Sequence, residues 1–287
     1  MAFIKKGVVI FLGAGGTSDD VRAFTPSSLK YNSLTMAYYA GYDGTRTRVC
    51  YAVSEDGMNF IKKGVVTILG VNGESDDITT SPRISLLRNG LIWLYYLAND
   101  GSKNRLTCAI SEDGINFLKL GVVIPLGAAN QSDDYNLIYA SAIEHEGLIK
   151  LYYSADDGSR TRICGAISED GIRFNKLGVI VPLSATGIDN GYTDAPAAIL
   201  NNGLIWLYYA GLDMTTFKNR GCCAISKDGI NFIKQGVVIP LGANGESDDS
   251  AILPGTVSIL DGVTQLYYGA YDGSKYLTCL ALSKSGI

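Results

Sequence analysis

Phe60-Ile61-Lys62-Lys63-Gly64-Val65-Val66 is one of five copies of the same phrase. The others begin at Phe3, Phe117, Phe174 and Phe232, which sets intervals of 57, 57, 57 and 58 residues. A fixed period of this size marks a repeat architecture, in which each unit buries its apolar surface only against its neighbours. Other phrases keep the period. A Tyr-Tyr pair starts at Tyr38, Tyr95, Tyr152, Tyr208 and Tyr267. Ser-x-Asp-Gly starts at Ser54, Ser111, Ser168 and Ser226 and decays to Ser283-Lys-Ser-Gly. Five such periods account for essentially all 287 residues, leaving no linker and no second domain.

Each period reads as four short strands. In the second repeat these run over about Thr80–Leu87, Leu91–Ala98, Arg105–Ser111 and Asn116–Ile124, separated by turns at Asn89-Gly90, Asp100-Gly101 and Glu112-Asp113-Gly114. Runs of β-branched and aromatic residues bounded by Gly and Asn turns indicate all-β structure, and helix signals are absent. Four antiparallel strands per unit, five times over, predict a five-bladed β-propeller. The chain stops at Ser285-Gly286-Ile287 where a fourth strand is due, and it opens at Phe3 with that strand. The N-terminal strand is therefore expected to complete the last blade and close the ring, which leaves no open edge. The expected blades are about 11–67, 68–124, 125–181, 182–239, and 240–287 plus 1–10.

Composition narrows the function. The 24 basic and 28 acidic side chains give a net charge of −4, which argues against binding nucleic acid or an anionic membrane, since either needs a basic face. No apolar run reaches the ~18 residues that a membrane-spanning helix needs. Thirty-four glycines with only 7 prolines point to many tight turns rather than low complexity. Met1 to Gly13 lacks the pattern of a secretory signal. The six cysteines are Cys50, Cys108, Cys164, Cys222, Cys223 and Cys279, read as matching positions on the third strands. Different blades hold their thiols too far apart for disulfides, so free buried cysteines and a cytoplasmic location are expected. His145 is the single histidine, which removes His-rich metal sites and a Ser-His-Asp triad.

Up-and-down strands place the connection into each innermost strand, and the loop between strands two and three, on one face of the ring. That face carries Ser18-Asp19-Asp20, Ser75-Asp76-Asp77, Ser132-Asp133-Asp134 and Ser247-Asp248-Asp249. The fourth repeat departs, with Ile188-Asp189-Asn190 and an added Asp194 in Tyr192-Thr-Asp-Ala-Pro. Innermost strands line the central channel, so a site is expected at its mouth on this face. Converging carboxylates can divide into a base, an acid of raised pKa and a supporting anion. The competing reading is that an Asp before each strand accepts backbone N–H bonds and orders the connector. A ring of acids also has the donor type for Ca²⁺, but neither a metal nor another cofactor is required. The Ser-x-Asp-Gly phrase reads as a turn. Of each Tyr-Tyr pair, one ring is expected between blades and the other towards the rim. Arg48, Arg105, Arg162 and Arg220 are placed to pair with the Asp across their own loop.

The phrases Tyr38-Tyr-Ala-Gly-Tyr-Asp-Gly…Arg48-Val-Cys-Tyr-Ala-Val-Ser-Glu-Asp-Gly-Met-Asn-Phe60 and Ser75-Asp-Asp…Ser81-Pro-Arg83 resemble repeats of five-bladed glycosidase-like propellers. These form the broad group of glycoside hydrolase families 43, 32 and 130. The resemblance implies an enzyme that cleaves glycosidic bonds in an oligosaccharide or glycoside, as hydrolase or phosphorylase. It implies catalytic carboxylates on inner strands of different blades. Asp19 or Asp20 would then resemble the base and Asp76 or Asp77 the supporting acid. Asp133 and Asp134 stand where the family has a Glu general acid, and Asp194 is similar to that acid in its x-Pro context. Arg22, Arg83, Tyr135, Asp189, Tyr192, Asp248 and Asp249 complete the candidate substrate-binding set. Near-uniform repeats favour a noncatalytic lectin-like propeller with nearly equivalent sites in each blade, and a regular scaffold without catalytic activity is a third alternative. Asymmetry at Arg22, Thr79, Asn136, Tyr192 and Ala251, and in the fourth-blade loop Asp213–Arg220, favours the enzyme.

Overall fold

The second strand of every repeat is apolar on both faces, as in Leu91-Ile-Trp-Leu-Tyr-Tyr-Leu-Ala-Asn99, and seven of its nine residues are buried. A strand covered on both faces needs a packed layer on each side, and the neighbouring blades are those layers. The computed structural model describes residues 3–66, 70, 74 and 76–284, so Ser75 and the closing Ser285-Gly286-Ile287 lie outside the described residues.

Among the described residues, twenty strands form five antiparallel sheets of four. Blade one is β2 (Arg22–Tyr31), β3 (Leu34–Tyr42), β4 (Thr47–Ser54) and β5 (Ile61–Val65). Blade two is β6 (Thr79–Arg88), β7 (Leu91–Asn99), β8 (Asn104–Ser111) and β9 (Leu118–Ile124). Blade three is β10 (Asn136–His145), β11 (Leu148–Asp156), β12 (Thr161–Ser168) and β13 (Asn175–Val181). Blade four is β14 (Tyr192–Asn201), β15 (Leu204–Asp213), β16 (Lys218–Ser226) and β17 (Ile233–Ile239). Blade five is β18 (Ala251–Leu260), β19 (Val263–Tyr271), β20 (Tyr276–Ser283) and, from the other end of the chain, β1 (Ile4–Ile10). β1 pairs with β20 from Ile4↔Leu282 to Ile10↔Thr278, so the predicted closure is present. A single bridge, Asn219↔Ala251, joins blades four and five.

The fourth strand of blade two starts at Leu118 rather than Asn116 because the turn consumes Asn116. Its backbone N–H and side-chain amide both donate to Asp113, at 2.8 and 2.7 Å. Ser111 donates to the same carboxylate and accepts from Gly114 N–H at 2.9 Å. The glycine of this turn is required twice over. Its φ of +76° is left-handed, and an added Cβ would sit 2.8 Å from the Tyr38 hydroxyl. That hydroxyl donates to Gly114 O at 2.8 Å, and the same bond runs from Tyr95 to Gly171 and from Tyr267 to Gly57. In these three pairs the first tyrosine thus fastens its blade to the next one by a hydrogen bond, which the Tyr152 hydroxyl does not make.

The opening Phe of the repeated phrase completes that joint. Tyr38, Tyr95, Tyr152, Tyr208 and Tyr267 each meet edge-on a phenylalanine of the following blade: Phe117, Phe174, Phe232, Phe3 and Phe60. The centroid separations of 5.5–6.2 Å suit T-shaped pairing, worth ~0.5–1.5 kcal/mol each beyond burial. The glycine of the phrase takes a left-handed φ of 77–107° at an outer-strand bulge in every blade.

All six cysteines are free and buried. Their positions correct the sequence reading. Cys50, Cys164, Cys222 and Cys279 lie opposite the second tyrosine of their pair, whereas Cys108 and Cys223 lie opposite the first and so face the other side of the blade. Burial pushes the Cys108 thiol up to about 12 and the Cys164 thiol to about 11, which makes both poor nucleophiles.

Candidate functional site at the channel mouth

The first Asp of the acidic phrase does not reach the channel. Asp19, Asp76, Asp133, Asp189 and Asp248 are buried inside their own blades. Each accepts a hydrogen bond from the second tyrosine of the pair, Tyr39, Tyr96, Tyr153, Tyr209 or Tyr268, at 2.8–3.1 Å. Each also pairs with the lysine of the repeated phrase. Lys62, Lys119, Lys176, Lys234 and Lys5 approach to 2.5–2.8 Å. Burial pushes the Asp189 carboxyl up, but the bonds from Lys234, Ser184 and Tyr209 outweigh it and hold the group below the usual range. These five clusters tie the entry of the innermost strand to the outermost strand. The second tyrosine therefore serves the blade rather than the rim.

The second Asp of the phrase closes the connector loop. Asp20 accepts from Gly16 N–H at 2.6 Å, Asp134 from Asn130 at 2.6 Å and Asp249 from Gly245 at 2.8 Å. Asp77 stands at the equivalent position in blade two. Tyr135 is exposed beside Lys103, whose ammonium lies 5.0 Å from its ring. The loop arginines pair as expected: Arg48 with Asp43, Arg105 with Asp100, Arg162 with Asp157 and Arg220 with Asp213. None of these groups forms a shared carboxylate cluster, and no metal-holding group of His, Cys, Asp or Glu occurs among the described residues. His145 bonds Lys150 at 2.8 Å at the opposite end of β10.

What converges on the axis is a bulge. The register of every innermost strand slips once, between Phe24 and Ser27, Pro82 and Ile84, Leu137 and Ala140, Asp194 and Ala197, and Pro254 and Thr256. Bulges re-aim side chains. Two of these hold non-glycine residues in the left-handed region, Thr25 at φ +49° and Ala195 at +51°, each directly before a proline. Such strain persists where the surroundings enforce it. The bulges present Phe24, Thr25, Tyr139 and Pro254 to a cavity of about 220 Å³. Arg22 and Tyr276 complete its rim. The Arg22 guanidinium lies 5.4 Å from the Tyr42 ring and 5.8 Å from that of Tyr276, so aromatic faces rather than a carboxylate hold it.

Asp194, on the β14 bulge, is buried behind this rim. It accepts from Ala195 N–H at 2.7 Å and bonds Ser154. Burial dominates and pushes its carboxyl up, against the opposing pull of those bonds and of Arg83, with the Asp156 charge adding to the rise. Its charge reaches Tyr139 and Tyr192, both pushed up chiefly by burial. Arg83 lies beneath, stacked 4.7 Å from the Tyr139 ring.

Of the predicted residues, the structure brings Arg22, Arg83, Tyr192 and Asp194 together and leaves the rest in their blades or connectors. Sequence reasoning missed Tyr139, Tyr276 and Asp156. A signal existed. The column Phe24/Ser81/Ile138/Asp194/Leu253 holds a different residue in every repeat, and Thr25/Pro82/Tyr139/Ala195/Pro254 repeats only its proline, whereas the acidic phrase before them and the Tyr-Tyr pair after them recur.

No family model matches the chain. Two uncharacterized proteins of Mycobacterium tuberculosis, from strains CDC 1551 and H37Rv, are 29% identical over 121 residues, 42% of this chain. The match spans only 40% of the length of each. A candidate glycoside hydrolase from Parabacteroides distasonis superposes with TM-score 0.81 at 18% identity, covering 99% of this chain and 96% of its own. The β-1,2-mannobiose phosphorylase of Listeria innocua, solved with β-1,2-mannobiose, gives 0.75 at 11% identity over 92% and 90%. A structure from work on the GH130 family of mannoside phosphorylases and hydrolases gives 0.79 at 16% identity over 97% and 92%. The chain shares its fold with glycoside hydrolases and mannoside phosphorylases.

Proposed function

We propose that the chain cleaves a glycosidic bond of an oligosaccharide or glycoside at the channel mouth, with Asp194 as general acid. The observation that carries this reading is Asp194 itself: a carboxyl pushed up by burial, on a strained bulge, behind a cavity lined by Arg22, Tyr139 and Tyr276. A protonated carboxyl is what a leaving glycosidic oxygen needs. Tyrosine rings offer apolar faces to a sugar and hydroxyls to its oxygens. Arg22, free of any carboxylate partner among the described residues, suits a ligand oxyanion. An anionic nucleophile held there needs no base. Water would need one, and Asp156 is the carboxylate placed near Asp194 for it. The fold shared with hydrolases and phosphorylases supports either outcome.

The test is product release from a panel of aryl-glycosides and disaccharides, β-1,2-mannobiose included, with and without inorganic phosphate. Wild type is expected to turn over at least one member. Arg22→Ala is expected to lower kcat/KM by ~10–100-fold, the value of one charge-assisted bond. Full activity in Arg22→Ala would remove the mouth from the account.

A further inference from the structure

Below the mouth the five innermost strands enclose a second cavity of about 360 Å³, lined by Arg83 and by the hydroxyls of Ser27, Ser28, Ser85, Ser141 and Thr256. Arg83 projects into this channel interior from the β6 bulge, and Lys30 and Glu144 line its far end. Its guanidinium donates to Ile138 O at 2.8 Å, Ser81 Oγ at 2.6 Å and Pro82 O at 2.9 Å. All three acceptors are neutral, and Arg83 makes no ion pair among the described residues. A buried charge without a counter-charge is costly, and native structures pair it. Burial lowers the Arg83 pKa to about 10, so the side chain stays cationic at neutral pH. The nearest acidic influence, Asp194, makes no ion pair with Arg83, and burial pushes its carboxyl up. A second observation points the same way. Ser28 Oγ is buried against the same cavity and has no hydrogen-bond partner. Ser27 and Ser85 bond each other at 2.9 Å, which leaves each hydroxyl an oxygen or a proton free to turn inward.

We infer that the channel interior is a binding site for one small inorganic anion, held by the Arg83 guanidinium and by hydroxyls of the innermost strands. The one carboxylate of the lining, Glu144 at the far end of β10, pairs with Arg88 at 3.6 Å, so the groups around Arg83 are a guanidinium and alcohols and suit a halide or a compact oxyanion. The bound charge stabilises Arg83 in place, and Arg83 in turn supports the Tyr139 ring at the floor of the mouth. This site stands apart from the glycan reading, since anion binding is measurable with no sugar present.

The experiment uses the full chain, crystallised and handled in sodium gluconate. One set of crystals is soaked in sodium bromide and another in sodium phosphate. Thermal melts are recorded in the same three salts at matched ionic strength. A bromine anomalous peak beside Arg83, or phosphate density there, is expected, and the two soaks distinguish a halide from an oxyanion site. The favoured salt should raise Tm saturably by several degrees over gluconate. Arg83→Met should lose both the peak and the salt-specific rise. Should that variant fail to fold, Ser28→Ala decides. It removes an unpartnered hydroxyl, so its fold should be kept, while the anion concentration at half-effect should rise about tenfold through loss of one bond to a charged group. Melts that coincide in all three salts, together with channels lacking both anions, would overturn the proposal. So would an unchanged anion midpoint in Ser28→Ala together with an unchanged peak in Arg83→Met.

Discussion

Deleting residues 1–10 is expected to abolish cooperative folding. The segment contributes all of β1, whose pairing with β20 completes the last blade. It carries Lys5, which sits 2.8 Å from the buried Asp248 carboxylate. Losing one partner of a buried ion pair costs ~3–5 kcal/mol. Phe3, Val9 and Ile10 are also buried, and truncating core side chains of this size costs roughly 1–5 kcal/mol each. Phe3 further removes the aromatic joint with Tyr208 between blades four and five. Together these losses reach the ~5–15 kcal/mol that holds an ordinary domain folded. The bared edge of β20 would also template aggregation. Circular dichroism melts and size exclusion of the truncated chain check this. A melting curve equal to wild type would contradict the closed ring as the source of stability. Adding a synthetic 1–10 peptide should restore the transition in part.

The second large effect belongs to Asp194→Asn. The substitution keeps size, and its amide oxygen can still accept from Ala195 N–H, so stability should hardly change. The side chain can no longer release a proton. Loss of a general acid lowers rate by ~10²–10⁴-fold, equivalent to ~3–5 kcal/mol in the barrier. Because the protonated form is the active one, wild-type rate should fall as pH rises through the raised Asp194 pKa, and the mutant should lose that limb. Asp76→Asn provides the opposite pattern. It strips the charge that Lys119 and Tyr96 share, so stability should fall by ~3–5 kcal/mol while the kcat of what stays folded is kept. Full activity in Asp194→Asn, or a stable but inactive Asp76→Asn, would reverse the assignment of roles.

The blades were legible because their phrases are structural instructions that recur. Phe60 meets Tyr267, Lys62 meets Asp19 beside Tyr39, and Gly64 makes the bulge, so these three residues of the opening phrase recur for a packing reason. The same recurrence misdirected the search for the site. Asp19, Asp76 and Asp133 looked like converging acids because they stand before channel strands. Their partners lie a whole strand phrase away, on the outermost strand, and the sequence does not display which lysine reaches back across the blade. The site uses what does not recur. Asp194 was visible as a departure from the repeat, as were Arg22 and Tyr192. Tyr139 was hidden because a tyrosine inside an apolar strand reads as core until the β10 bulge turns it inward. Tyr276 was hidden because its approach to Arg22 brings blade five against blade one across the closed ring, a contact set by closure rather than by local spacing.

The most direct measurement is the stoichiometry of sugar binding by titration calorimetry, using the panel member with the highest kcat/KM and Asp194→Asn to block turnover. The groups at the mouth, Arg22, Tyr139, Asp194 and Tyr276, come from four different blades and meet once around the axis. One sugar ligand per chain is therefore predicted, with binding weakened by Arg22→Ala. Four or five equivalent ligands per chain, or no binding and no turnover by any member of the panel, would contradict a glycan site at the channel mouth.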